Sequence, residues 1–159
     1  MTTATKTKKV TETKIKPVYG LEATIENIAA LVAEGLSYTQ TRKIIKTWED
    51  FYIALAKYYK INLEDMCRII FGNRGNNDRR NGSFSGDAYS ASDGRTESEI
   101  IVHLELLREF PPIQTFYTVA HEMAHYLNFK QGIKDTAKSG RHNLKFKEMA
   151  EKLGLVCTQ

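Results

Sequence analysis

Apolar residues recur at helical spacing over residues 21–34, where Leu21, Ile25, Ile28, Leu31 and Val32 share a face and Gly35 follows as a stop. Ser37 and Gln40 then have the form of a capping box: a hydroxyl for the third amide and an amide side chain reaching back. This predicts a helix running to about residue 60. Its apolar face is broad, with Ile44, Ile45, Trp48, Phe51, Tyr52, Leu55 and Tyr59. Asn62, followed three residues later by Asp65, reads as another N-cap and predicts a short helix to residue 71, stopped at Gly72. Residues 72–82 are turn formers without periodicity and are expected to be a loop.

After the loop the period changes. Residues 84–91 read as a short strand. Residues 99–107 (EIIVHLELL) are β-branched and mostly apolar, and Asp93-Gly94 supplies a turn between the two, so an antiparallel hairpin is expected. Pro111-Pro112 opens a helix over residues 113–129. Gly132 and Gly140 bracket a loop. Asn143 caps a last helix with Phe146, Met149, Ala150 and Leu153 on one face, and Gly154-Leu155 ends it as a Schellman turn.

Composition narrows the class. A chain of 159 residues with 42% hydrophobic and 26% charged residues has the size and the apolar content of one globular domain. No run reaches the roughly 18 apolar residues of a membrane helix, and no secretory signal is visible at the start. Cys67 and Cys157 form no CxxC pair; that fits a reducing, cytoplasmic setting and excludes a cysteine-based zinc ribbon. The net charge of +4 resides in residues 1–16, which hold Lys6, Lys8, Lys9, Lys14 and Lys16 against Glu12. We therefore expect residues 1–18 to be a disordered basic tail and residues 19–159 to be the domain. The domain itself is charge-balanced and is not a strongly basic nucleic-acid binder by composition.

The chemistry concentrates in His121-Glu122-Met123-Ala124-His125, inside the helix predicted over residues 113–129. Residues i and i+4 share a helix face, so His121 and His125 can aim two imidazoles at one ion. Glu122 lies about 100° around the helix, placed to take a proton from water activated by that ion without being a ligand. Catalytic zinc takes three protein ligands. The third must come from His142, His103 or a carboxylate, the chain having four histidines in all. His142 is the better candidate, 17 residues after His125, past the glycine-bracketed loop and just ahead of a capped helix. His103, mid-strand between Val102 and Leu104, reads as a sheet-face residue.

The run from Tyr117 through His121, Glu122 and His125 to Leu127, followed by Ser139-Gly-Arg-His142 and then Phe146 to Leu155, resembles the SprT-like metalloprotease domain. The likeness is close over residues 115–155 and loose over 40–155. It implies a zincin-like α+β fold: N-terminal helices, a small antiparallel sheet, the HExxH helix and a C-terminal helix. It implies Zn²⁺ held by His121, His125 and His142, with Glu122 as catalytic base, and a protein or peptide substrate. Some members of the family act on proteins attached to DNA. Many also carry a C-terminal zinc ribbon or another DNA-binding segment, and the Gly-Pro usual after the third histidine is here Asn143-Leu144. The chain looks like a short, single-domain version of the kind found in phages and mobile elements.

Weaker candidates complete the picture. Tyr117, one turn before His121, and Arg141, beside His142, are candidate donors to an oxyanion; Tyr126 follows His125 and points away from it. Arg74, Arg79 and Arg80 in the glycine/asparagine loop, together with the lysine tail, are candidate phosphate contacts for DNA. Trp48, Tyr52, Tyr58 and Tyr59 fall at helical spacing and read as core. An extended substrate is expected to pair with the outer edge of the hairpin. The expected function is zinc-dependent peptide hydrolysis. The rival is a DNA-associated binding or regulatory module with a structural or vestigial zinc site.

Overall fold

The computed structural model describes residues 37–62, 66–72 and 80–157. The basic tail, the helix expected over residues 21–34, and Arg74 and Arg79 lie outside these.

Helix α1 (Tyr38–Tyr58) starts where the capping box predicts. The Gln40 N–H donates to Ser37 Oγ at 3.3 Å, and the Ser37 N–H donates to Gln40 Oε1 at 2.8 Å. Its buried face consists of Ile44, Trp48, Phe51, Tyr52, Leu55 and Ala56. Trp48 and Tyr52 are core as expected, whereas Tyr58 is exposed.

The described part of residues 62–71 does not form the expected helix; residues 63–65 lie outside the described ones. Arg68–Gly72 is a strand, β1. Ile69, Ile70 and Phe71 pair in parallel with Ile100, Ile101 and Val102 of β3 (Thr96–His103). An N-cap is a local preference of about 1 kcal/mol. β-branched and aromatic residues that can join a buried central strand gain more from pairing and burial. Phe71 then packs on Trp48, with ring centroids 4.8 Å apart.

β2 (Gly82–Ser90) pairs antiparallel with β3 on its other side, so the sheet order is β1-β3-β2. The hairpin is as predicted, with Gly94 in its turn at φ 81°. The sheet is nevertheless mixed and not purely antiparallel, because the third member is β1. The central strand buries Ile100 and Val102 completely. It stops at His103, short of the expected residue 107. The Leu104 N–H turns to the Gly72 carbonyl at 2.9 Å, and the chain enters a single helical turn, α2 (Leu106–Glu109).

Helix α3 (Ile113–Lys130) follows Pro111-Pro112 and spans the middle of the domain, touching α1, β2, β3 and the last helix. Phe116, Val119, Ala120, Met123 and Ala124 are buried along it. Phe116 meets Phe51 edge-on at 4.7 Å. Helix α4 (Leu144–Lys152) is capped by Asn143, whose Oδ1 accepts from the N–H groups of Lys145 and Phe146. Its end is the predicted Schellman turn: Leu155 N–H to Ala150 O at 3.0 Å and Gly154 N–H to Glu151 O at 3.0 Å, with Gly154 at φ 84°. Among the described residues no helix is long and apolar enough to cross a membrane.

Candidate metal centre

The apolar stripe of α3 fixes which side of the helix meets the core, and this leaves His121 and His125 on its flank, one turn apart. Their ring centroids are 5.2 Å apart. The third histidine arrives from beyond the loop. Thr136 and His142 form an antiparallel bridge, Ala137 N–H donates to Arg141 O at 2.8 Å, and Gly140 closes the turn at φ 77°. A side chain at Gly140 would strain that left-handed turn. The return carries the His142 ring to 4.7 Å from that of His121 and 4.9 Å from that of His125.

One ring nitrogen from each histidine lies within 4.8 Å of the other two. The closest pair, His125 Nε2 and His142 Nε2, is 3.1 Å apart. Two nitrogens bound tetrahedrally to one zinc at ordinary Zn–N lengths sit about 3.3 Å apart, so the donor set fits that ion. Burial holds His121 well below its usual range, at about 3, and His125 and His142 push it the same way. His142 is lowered too, again mainly by burial. Neutral imidazole is the form that binds metal. Phe146, buried on α4, stacks on His142 at 3.8 Å and also touches the rings of His121 and His125.

Glu122 is 7% exposed. Burial pushes its carboxyl up to about 7, against the pull of the Arg80 charge and of a hydrogen bond donated by the Phe84 N–H. That bond shows how β2 lies. His103 N–H donates to Asn81 O at 3.1 Å, and Ser83 and Ser85 lie opposite Ile101 and Glu99. In the alternation of an antiparallel pair, Gly82 and Phe84 therefore turn their N–H and C=O groups away from β3. The free edge of β2 runs over Glu122. It walls a cleft of about 750 Å³ that contains the three histidines, Glu122 and Tyr117.

The other predicted residues divide. Arg80 is on the cleft wall, near Glu122, and not part of a remote basic loop. Tyr117 lines the cleft; Arg141 is exposed and does not line it. His103 is buried on the central strand, away from the cluster. Tyr126 is buried and packs toward Phe84 at 5.9 Å. Two residues escaped the sequence reading. Asp135 Oδ2 sits 2.7 Å from His125 Nδ1, and Asn128 Nδ2 donates to the same oxygen at 3.2 Å. Asn128 had a signal, being one turn beyond His125 on the same helix; Asp135 had none.

An α+β domain with a three-histidine cluster set beside a buried glutamate is metallopeptidase-like in its architecture. Residues 48–158 match the SprT-like family, and the chain belongs to it. Neither the curated proteins nor the solved structures compared with the chain gave a match.

Proposed function

We propose that the protein is a zinc-dependent metallopeptidase of zincin type. The observation that carries this reading is the convergence of three imidazoles within 4.8 Å beside the buried Glu122. His121, His125 and His142 would hold the ion. Zinc there supplies a Lewis acid that polarises a carbonyl and lowers the pKa of water to about 7.

Glu122 is the proton carrier. Its carboxyl, at about 7, is matched to taking a proton near neutrality from the attacking water and returning it to the leaving amine. The Phe84 N–H lies within reach of the carboxylate and draws it toward β2. Tyr117, on the cleft wall, takes the role of donor to the oxyanion in this reading. The substrate is an extended peptide lying along the edge of β2 that walls the cleft. Family likeness alone extends the substrate to DNA-associated proteins, with Arg74, Arg79 and the lysine tail as phosphate contacts.

The experiment is proteolysis of an unfolded protein substrate by the full chain. Activity is expected to vanish on chelation, to return with zinc, and to be absent in Glu122→Gln with fold and zinc content unchanged. Zinc binding without proteolysis, together with salt-steep DNA binding unaffected by Glu122→Gln, would replace the enzyme reading with the DNA-associated module.

A further inference from the structure

We propose that Asp135, braced by Asn128, is the positioning residue of this metal centre: it holds His125 in one tautomer and sets the reach of His142. The inference rests on the reading that the three histidines hold zinc.

Asp135 is 9% exposed, and its Oδ2 faces two side chains, His125 Nδ1 at 2.7 Å and Asn128 Nδ2 at 3.2 Å. With the Asp135 oxygen as acceptor, the hydrogen of this contact sits on Nδ1 of His125. The lone pair of the neutral ring is then on Nε2. That is the atom 3.1 Å from Nε2 of His142. The carboxylate thereby selects the tautomer that presents its lone pair to the cluster, and fixes the ring plane.

The same residue governs the third histidine through its main chain. Asp135 O accepts the Asn143 N–H at 2.9 Å, and the neighbouring Thr136 bridges to His142. Asn128, 2% exposed on α3, adds a bond from Nδ2 to Lys145 O at 3.4 Å in the first turn of α4. His125 and His142 come from different elements, yet both take their position from residue 135. Without the carboxylate the ring of His125 can rotate away from a return loop that the main-chain bond to Asn143 still holds.

The test uses the full chain and two measurements. One is zinc affinity, by competition with a chromophoric chelator. The other is the tautomer of His125 in the metal-free protein, by long-range proton–nitrogen NMR. The wild type is expected to bind one zinc and to show the Nδ1–H form of His125. Asp135→Ala should weaken zinc about 10–100-fold and convert His125 to a mixture of tautomers. Asp135→Asn keeps the shape and an accepting oxygen, so it should retain the Nδ1–H form and lose less affinity. Asn128→Ala should weaken zinc by less than Asp135→Ala. A purely structural role would lower the melting temperature without changing the tautomer. Wild-type affinity in Asp135→Ala, or an Nδ1–H tautomer that persists in it, overturns the proposal. Should the alanine variant not fold, wild-type affinity in both Asp135→Asn and Asn128→Ala overturns it. A wild-type chain that takes up no zinc overturns the metal reading itself, and the tautomer measurement then decides the orienting contact alone.

Discussion

Phe146 lies flat against His142, ring centroids 3.8 Å apart and planes 15° from parallel. The phenyl ring is 4% exposed and is also within 4.7 Å of the rings of His121 and His125. One side chain on the first turn of α4 therefore forms both part of the core and the floor of the histidine cluster. Phe146→Ala should cost about 3–5 kcal/mol of stability through the cavity it leaves. It should also weaken zinc binding, because His142 loses the surface that orders it. Phe146→Leu fills much of the volume and should recover most of the stability but less of the affinity. Denaturant unfolding of the metal-free chain and chelator competition separate the two effects. Equal recovery of both in the leucine variant would show that the ring has no orienting part.

Which residue would supply a third nitrogen is open on sequence grounds; the loop that returns to the cluster brings His142 beside His121 and His125. His142→Ala should reduce zinc affinity by several orders of magnitude and abolish proteolysis, while leaving the metal-free fold intact, since its side chain is exposed. His103→Ala removes a buried side chain from the central strand and should lower stability while leaving one zinc bound per chain. Elemental analysis after dialysis reads both. One zinc retained at wild-type affinity in His142→Ala would remove that residue from the centre.

The parts of this site that could be read from the sequence are those governed by neighbours in the chain. The HExxH spacing, the Ser37 and Asn143 caps and the Gly154 turn each depend on contacts within one or two helical turns, and each is where the pattern puts it. Local signals point to a helix at β1 because what makes Ile69 and Phe71 strand residues is a partner some 30 positions later, Ile100 and Val102. The same absence of long-range information hid the parallel member of the sheet. Arg80 looked like one of a set of loop arginines, and only the placement of β2 over α3 brings it beside Glu122. Asp135 touches His125 through a turn whose course depends on Gly132 and Gly140, so no spacing rule points to it.

Gly82 allows β2 to lie directly on the face of α3 that carries Thr118 and Glu122. A Cβ built there would come within 2.7 Å of Ile101 O and of Thr118 Cγ2, and 3.4 Å from Glu122 Cγ. The first of these is main chain on the central strand and cannot move aside cheaply. Gly82→Ala should therefore push β2 away from α3, weaken the Phe84–Glu122 hydrogen bond, and cost about 1–3 kcal/mol as an overpacked site. Zinc affinity should change little, since the atoms a Cβ would meet belong to Ile101, Thr118 and Glu122 and not to a histidine. Proteolysis should fall more than stability at assay temperature explains. An alanine variant with wild-type turnover would mean that the edge of β2 does not set the geometry of Glu122.

Tyr52 and Cys67 give a pH dependence that is independent of the metal. The Tyr52 hydroxyl reaches Cys67 Sγ at 3.2 Å and the Cys67 carbonyl at 3.3 Å. Burial pushes the Cys67 thiol from its ordinary 9.0 up to about 11, and burial also raises the Tyr52 phenol. Both groups thus hold their protons more tightly folded than unfolded. The unfolded chain loses the thiol proton first, so the stability tied to Cys67 is intact below about pH 8 and declines from there to about pH 11. A shift of this size corresponds to roughly 3 kcal/mol over that window. Denaturant midpoints of the wild type should fall across it relative to Cys67→Ala, in a Cys157→Ser background that isolates one thiol. Alkylation at pH 8 should label Cys157 well before Cys67. Parallel pH profiles for the wild type and Cys67→Ala would show that the thiol ionises as freely in the fold as in the open chain.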